Sequence, residues 1–99
     1  MSKTEYTLLS GDRIDVLLVL ENGDHIAVEV KPSTSSQEDI TRGIFQCVKY
    51  KAVMDAERNI ESAFYKNSSI LVLAGTMSEQ NKCIAKDLFV RHIEDFKIS

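Results

Sequence analysis

The sequence lacks the features that mark a membrane protein, a secreted protein or a multidomain protein. No apolar run approaches the length of a membrane span, and residues 1–5 lack the apolar segment of a secretory signal. There is no internal repeat, low-complexity tract or linker. With 99 residues and a hydrophobic content of 43%, the chain is long enough for one core and too short for two. We therefore expect a single domain over residues 1–99 that makes no membrane contact.

Residues that bind soft metals are also scarce. Cys47 and Cys83 lie on predicted helices and form no CxxC or other metal-binding spacing. They are expected to be buried thiols in a reducing cytosol. His25 and His92 are isolated, and we interpret His25 as an exposed hairpin residue and His92 as structural. This pattern predicts a cytoplasmic protein.

The chain has no excess of positive charge. Its formal net charge is -3, whereas domains that bind nucleic acid are usually basic. Because each neutralised phosphate needs a cation, binding of nucleic acid is expected to be weak or to depend on a partner. A locally basic surface is still compatible with the sequence, since several cations fall near the candidate site described below: Arg13, Lys31, Arg42, Lys49 and Lys51.

Two β-branched and aliphatic runs, 14–20 and 25–31, predict a β-hairpin around Glu21-Asn22-Gly23-Asp24. The loop type decides which side chains share a face, because side chains alternate along a strand. In a three-residue loop, one face is wholly apolar, as expected of a surface that faces a core. That predicted core face consists of Ile14, Val16, Leu18, Leu20, Ile26, Val28 and Val30.

The same loop decides whether two acidic residues meet. A two-residue turn would send Asp15 and Glu29 to opposite faces. A three-residue loop, with Gly23 in the left-handed bulge position, pairs Leu20 with Asp24 and sets Asp15 directly opposite Glu29. Opposed carboxylates with Cβ atoms about 5 Å apart repel one another unless a cation or a proton lies between them. This register therefore predicts a divalent metal site, and oxygen ligands of this kind suit Mg²⁺ or Mn²⁺.

Lys31 lies two residues beyond Glu29 on the same face. There it would orient or deprotonate a water, or stabilise charge on a phosphate. Two carboxylates and an amine are the minimal group for metal-assisted cleavage of a phosphodiester. The plain alternative for Lys31 is a solvated lysine at the edge of a sheet.

A long helix is predicted after the hairpin, from about Gln37 to about Arg58. Ser35 is followed three residues later by Glu38, which favours a capping box at its start. An apolar stripe near the 3.6-residue period would pack on the core. It consists of Ile40, Ile44, Phe45, Val48, Ala52 and Met54.

A second stripe of this helix, with residues spaced three or four apart, carries Arg42, Gln46, Lys49, Tyr50 and Val53. If this stripe turns toward the hairpin, Gln46 and Tyr50 lie beside the acidic pair, and Arg42 or Lys49 can reach a phosphate. Otherwise the two cations are ordinary solvated charges.

The other predicted elements complete an α/β (α+β) fold in which helices flank a mixed central sheet. We expect a first strand over Glu5–Leu9 and, after a break at Asn67-Ser68-Ser69, a strand over Ile70–Ala74 that is covered on both faces. A second helix, capped by Ser78, is expected to run to about Phe89, and residues 90–93 to add a last strand. The inner side of this second helix would carry Cys83, Ile84, Leu88 and Phe89.

Asp15, Glu29 and Lys31 together resemble the signature of the PD-(D/E)xK nuclease superfamily. Residues 46–50 are similar to the Gln-x-x-x-Tyr element that several of its branches add. The resemblance implies a restriction-endonuclease-like fold and Mg²⁺-dependent cutting or processing of DNA, less often of RNA. It further implies that Asp15, Glu29 and the backbone carbonyl of Val30 hold the metal. Gln46 and Tyr50 would then orient the substrate or Lys31, with Lys49, Arg42 and Arg13 available to the substrate.

This sequence departs from the superfamily pattern in two places. Superfamily cores usually begin with a helix, which often adds a further acidic residue to the site. Here only a few residues precede Tyr6, so we expect most of that helix to be lacking. Glu5 would then substitute for its acidic residue. A sheet face would then be bare, for a second copy or a partner protein to cover. Ile14 also takes the place of the usual Pro.

The sequence leaves three hypotheses open. The first is a Mg²⁺-dependent nuclease domain that acts on DNA rather than RNA, and duplex cleavage by so small a domain would need two copies. The second is a catalytically inactive module that keeps the nuclease fold and acts with a partner. In the third, Asp15 and Glu29 are surface residues of an unrelated α/β domain.

Overall fold

The computed structural model describes residues 2–7, 13–58 and 66–97. They form five strands and two helices in the order βββαβαβ. No helix of the described residues is long and apolar enough to cross a bilayer. The elements are β1 Ser2–Thr7, β2 Arg13–Val19, β3 His25–Lys31, α1 Gln37–Arg58, β4 Asn67–Leu73, α2 Glu79–Asp87 and β5 Arg91–Ile93.

The β2–β3 hairpin has the predicted three-residue loop. Leu20 and Asp24 close it through a bond from the Leu20 amide to the Asp24 carbonyl. Gly23 has a φ of 97°, which L side chains rarely adopt. Val16 pairs with Val28, and the register carried one residue further sets Asp15 opposite Glu29. The predicted register is therefore confirmed.

The five strands form one mixed sheet in the order β1-β2-β3-β4-β5. The first three are antiparallel, and β3, β4 and β5 are parallel. Two crossovers that run in the same direction along a sheet put their helices on the same face, because such connections are right-handed. Both α1 and α2 accordingly pack on one face, around a core of Ile40, Ile44, Cys47, Leu71, Leu73, Met77, Ala85 and Val90.

The predicted core face was wrong, because the helices cover the opposite face of the hairpin. Leu17 and Ala27 are buried against Tyr50 and Met54 of α1. The other side of the sheet is an apolar groove of about 400 Å³ that no described helix covers. We call it the open face; it is lined by Val16, Leu18, Val28, Val30, Ile70, Val72, Ile93 and Phe96.

Several element boundaries differ from the predictions. The first strand is Ser2–Thr7, and Leu8 and Leu9 lie outside the described residues. Asn67-Ser68-Ser69 does not break the chain but opens β4, since these residues pair with the start of β3. Ser69 also donates to the Cys47 carbonyl of α1 at 2.7 Å. Helix α1 has the predicted bounds. Its cap is Ser36 rather than Ser35, because the Ser36 hydroxyl accepts from the Asp39 amide at 3.1 Å.

Helix α2 is shorter than predicted, and Cys83 and Phe89 are not on its inner side. The helix ends at Asp87. Cys83 is exposed, and Phe89 is 94% exposed, so both predictions of burial were wrong. Cys47 is buried as predicted, and burial raises the pKa of its thiol to about 12.

Candidate active site

The two carboxylates meet where β2 and β3 separate. The β2–β3 ladder ends at the pair Val16 and Val28. One step further, the amide of Val30 donates to the Asp15 carboxylate at 3.1 Å. The Asp15 side chain thus takes the place of the next ladder partner, which holds this carboxylate beside Glu29 at the end of the hairpin.

Glu29 is buried, with 8% of its surface exposed. Its Oε1 accepts from the Tyr50 hydroxyl at 3.2 Å, and its Oε2 lies 3.6 Å from Lys31 Nζ. Burial, followed by the like charge of Asp15, raises the pKa of Glu29, while Lys31 and Tyr50 oppose that rise. The ionised Glu29 is therefore held at an energetic cost that an added cation would relieve.

Lys31 bridges two acidic residues. Besides Glu29, its Nζ contacts Asp39 Oδ1 at 3.1 Å. Asp39 lies in the first turn of α1, where the Ser36 cap fixes its backbone. The hydrogen bond from Lys31 is the largest cause that lowers the pKa of Asp39. The ammonium is thus held at the site by α1 as well as by its own strand.

Sequence reasoning missed Asp39. The available signal was an acidic residue in the first turn of the helix that follows the lysine strand, a position usually explained by the helix dipole alone. Only the packing of α1 on β3 shows that its carboxylate reaches Lys31.

Tyr50 is the residue of the second α1 stripe that reaches the acidic pair. It is 4% exposed, and burial, followed by the charge of Glu29, raises the pKa of its hydroxyl. The hydroxyl therefore stays protonated and donates to Glu29. Its buried position suits holding Glu29 rather than direct contact with a large substrate.

The other predicted substrate residues that the structure describes lie at the surface of α1. Gln46, Lys49 and Arg42 are exposed on α1, and Arg42 is close enough for its charge to lower the pKa of Asp39. Arg13 belongs to β2, but its side chain lies outside the described part of the structure, as does that of Glu5.

Gly43 is a second residue that sequence reasoning missed. A Cβ at this position would lie 3.0 Å from Leu71 Cδ1 and 3.1 Å from Lys31 Cε. The absence of a side chain lets α1 approach the sheet directly above the stem of Lys31. An isolated glycine inside a helical pattern was the available signal, since it weakens the helix by about 1 kcal/mol and so favours a packing role.

We expect Gly43→Ala to lower a cleavage rate that depends on Lys31 strongly and to lower the melting temperature only slightly. The gain in helix propensity offsets part of the overlap, whereas displacement of a reacting group by about 1 Å can reduce a rate about 100-fold. The matched control is Gly75→Ala, because a Cβ there meets its nearest atom at 3.5 Å. Thermal unfolding and cleavage assays of both variants check this, and wild-type cleavage by Gly43→Ala would contradict it.

The oxygen groups at the site fit a hard divalent cation. Asp15 and Glu29 supply carboxylates, and successive carbonyls along a strand point to opposite sides. Because the Lys31 carbonyl accepts from Ala74 beyond β4, the Val30 carbonyl points toward Asp15. The described residues contain no group of three His, Cys, Asp or Glu that could hold a metal, so water and phosphate would complete the coordination, as is usual for Mg²⁺.

Comparison with solved structures identifies the fold. A repair endonuclease from Pyrococcus abyssi is 17% identical, with a TM-score of 0.69 over 93% of this chain and 36% of that one. An EndoMS structure in complex with double-stranded DNA is 18% identical, with a TM-score of 0.68 over 97% of this chain and 36% of that one. No protein family and no curated protein matches the sequence.

These likenesses confirm the predicted fold. The chain has the restriction-endonuclease-like nuclease fold, with a mixed sheet and helices packed against it. It spans about a third of the length of the two similar structures, 36% in each case. Among the described residues, β1 is the first element, and no helix precedes it.

Proposed function

We propose that the chain is a Mg²⁺-dependent nuclease domain that hydrolyses phosphodiester bonds of DNA. The observation that carries the proposal is the buried Glu29, whose pKa is raised in part by Asp15 while Lys31 Nζ lies 3.6 Å away. Perturbed carboxylates next to a cation are typical of sites built for a charged ligand. The similar repair endonuclease and the DNA complex of EndoMS support DNA as the substrate class.

Asp15, Glu29 and the Val30 carbonyl are proposed to hold the metal. A bound Mg²⁺ or Mn²⁺ would supply a Lewis acid for the phosphoryl oxygens and make a bound water a better nucleophile. Tyr50 keeps one oxygen of Glu29 in a fixed direction. Asp15 is positioned by the Val30 amide, so both carboxylates are oriented before any ligand arrives.

Lys31 is proposed as the group that positions the attacking water or stabilises charge on the phosphate. Its ammonium forms ion pairs with the carboxylates of Glu29 and Asp39 and lies within 4 Å of both. Gln46 is proposed to orient substrate or water from α1, and Arg42, Lys49 and Arg13 to contact phosphates. With a net charge of -3, the domain would bind DNA weakly unless a partner assists.

Cleavage assays with labelled duplex DNA, single-stranded DNA and RNA test the proposal, in Mg²⁺, Mn²⁺ and EDTA. We expect metal-dependent cleavage of DNA. The free thiols Cys47 and Cys83 suit the reducing cytosol that we propose as its compartment, so a reductant belongs in the assay. Metal-independent cleavage, or the absence of cleavage with every substrate and metal, would contradict the proposal.

The open face favours a second candidate function, that of a catalytically inactive module with a nuclease fold. An apolar surface of this kind marks an interaction site when it is contiguous, and it would be covered when the module binds a partner protein. Measuring metal-dependent stabilisation and cleavage on the same protein distinguishes the enzyme from the inactive module. Metal-dependent stabilisation without cleavage of any nucleic acid would support the module and oppose the enzyme.

For the enzyme, we propose a second copy of the chain as the occupant of the open face. One site per chain cuts one strand, so duplex cleavage needs two copies. Phe96 is 47% exposed on this face, and Phe96→Glu would introduce a charge without emptying the core. We expect the wild type to sediment as a dimer and this variant as a monomer. A monomeric wild type would exclude the second copy and leave a partner protein as the occupant.

A further inference from the structure

We propose that the domain binds an unpaired stretch of nucleic acid at the end of the sheet opposite the candidate active site. The contact would consist of a base stacked on Phe89 and of phosphates held by Lys66 and Arg91. The inference rests on the proposed function, because it names a feature of the substrate that such an enzyme would bind.

The proposed contact is a cavity of about 410 Å³, here called the basal cavity. It is formed by the start of β3, the start of β4 and the segment before β5, with Ile26, Ser68, Lys66, Phe89 and Arg91 among its lining residues. Asp24 at this end and Lys31 at the site are seven residues apart, which is about 23 Å along a strand. The basal cavity is thus separate from the carboxylate site.

Phe89 has a left-handed backbone conformation, which is unfavourable for a residue with a bulky side chain. The Val90 amide donates to Ala85, and the Phe89 amide to Lys86, which is the Schellman arrangement that ends α2. In this motif the Phe89 position is left-handed and usually glycine, and Phe89 has a φ of 57°. A bulky residue with such a φ is unusual and occurs disproportionately at functional sites.

Packing does not explain the presence of this phenyl ring. Phe89 is 94% exposed, so neither its backbone strain nor the exposure of its apolar ring to water is offset by contacts with the core. The strain and the exposure are independent observations. Both are accounted for if the ring itself is a contact surface for a ligand.

Charge selects nucleic acid as that ligand. Lys66 and Arg91 are exposed at the basal cavity, whereas Lys51 on its rim is paired with Asp55 at 2.8 Å. The carboxylate of Asp24 is occupied, since it accepts from the Asn22 side-chain amide at 3.2 Å and from the Lys66 backbone amide at 2.9 Å. Two cations beside an exposed aromatic ring are the elements that bind single strands, since every base has a face that can stack and every nucleotide has a phosphate.

A stacking contact requires an unpaired base, because the bases of a duplex already stack on one another. The basal cavity therefore predicts a substrate with a single-stranded part, which is held about 20 Å from the bond that is cut. Branched or partly unwound DNA meets this requirement, and a blunt duplex does not.

The test is the binding of fluorescein-labelled oligothymidylate to the intact chain in EDTA, measured by fluorescence anisotropy. We expect Phe89→Gly to weaken binding about 5- to 150-fold and yet to melt at a higher temperature than the wild type, because glycine removes the strain. A binding defect in a more stable protein cannot arise from unfolding. Phe89→Tyr keeps the ring and should bind as the wild type does.

Two further variants complete the design. Phe45→Ala removes a phenyl ring that is 53% exposed on α1 and should leave binding unchanged. Arg91→Gln should lower the slope of log K against log salt by about 0.7, the value for one phosphate of a single strand. Equal binding by Phe89→Gly and the wild type would overturn the inference, and so would a Phe45→Ala defect of the same size.

These outcomes are separate from those for the active site. Because binding is measured in EDTA, it does not depend on cleavage. Metal-dependent cleavage of duplex DNA with no binding of oligothymidylate would leave the proposed function standing and refute the inference; the basal cavity would then suit a protein partner. Binding that depends on Phe89 in a chain that cuts nothing would support the basal cavity and contradict the nuclease.

Discussion

Glu29→Gln is expected to abolish metal-dependent cleavage and, without metal, to raise the stability of the fold. The loss of a metal ligand removes several kcal/mol of charge stabilisation, which corresponds to about a 1,000-fold lower rate or less activity still. The stability gain follows from the raised pKa of Glu29, whose causes are burial first and then Asp15. A neutral amide of nearly the same shape removes both penalties.

The sign of the pH dependence follows from the same shift. A group whose pKa is higher in the folded protein favours folding fully below its unfolded value of 4.5, and that contribution is lost as the pH rises through the folded value. The wild type should therefore match Glu29→Gln at low pH and fall below it as the pH rises. Thermal unfolding over a pH series in EDTA measures this difference.

Metal should reverse the order of the two proteins. A ligand that binds only the native state at 100 times its Kd stabilises it by about 2.7 kcal/mol, and each kcal/mol shifts the melting temperature of a domain of this size by about 4–8 °C. We expect Mn²⁺ or Mg²⁺ to raise the melting temperature of the wild type and not that of Glu29→Gln.

The matched control for this pair is Glu21→Gln. Glu21 is exposed in the loop at the other end of the hairpin, so the same chemical change there should alter neither cleavage nor the response to metal. A Glu29→Gln protein that is less stable than the wild type in EDTA would show that the carboxylate is a structural group rather than a strained ligand.

Lys31→Met is expected to reduce cleavage by about 100- to 10,000-fold, the usual contribution of a group that assists proton transfer. Its effect on stability should be opposite to that of Glu29→Gln. The ammonium lies 3.6 Å from Glu29 and 3.1 Å from Asp39, and its removal leaves a buried carboxylate with one partner fewer. We expect a loss of about 1–3 kcal/mol in EDTA.

Metal response distinguishes a catalytic lysine from a structural one. Lys31→Met keeps both carboxylates, so metal should stabilise it at least as much as it stabilises the wild type, because the repulsion it relieves is larger. Cleavage should stay low even in saturating metal. The comparison variant is Asp39→Asn, which keeps the ammonium and should retain more activity. Wild-type cleavage by Lys31→Met would refute the role proposed for the lysine.

Local patterns predicted much of the candidate site. The Glu21-Asn22-Gly23-Asp24 loop determined the register, because a three-residue loop with Gly23 at a φ of 97° leaves one possible pairing. That pairing places Asp15 beside Glu29, and the alternation of side chains puts Lys31 on their face. The bounds of α1, residues 37–58, were predicted from a serine cap and an apolar stripe. The cap is Ser36 rather than Ser35, and Phe45 and Val48 of the predicted stripe are exposed.

Patterns failed where a residue's environment depends on distant segments. The apolar side of the hairpin was expected to face the core, but it is the open face, whereas Leu17 and Ala27 on the polar side are buried. Amphipathicity alone shows that two faces differ and does not show which one the helices will cover. The prediction for Phe89 was wrong for a similar reason. Its apolar character predicted burial, whereas the end of α2 holds its side chain in solvent.

By itself, the sequence determined the strands of the hairpin, their register, the long helix and the shared position of Asp15, Glu29 and Lys31, because turns, caps and side-chain alternation act over a few neighbouring residues. Only the tertiary structure decided which face of the sheet α1 and α2 cover. The handedness of two crossovers fixes that face, and with it the burial of Glu29, the bond from Tyr50 and the approach of Asp39 and Gly43 to Lys31. These contacts join residues far apart in the chain, so no local pattern specifies them.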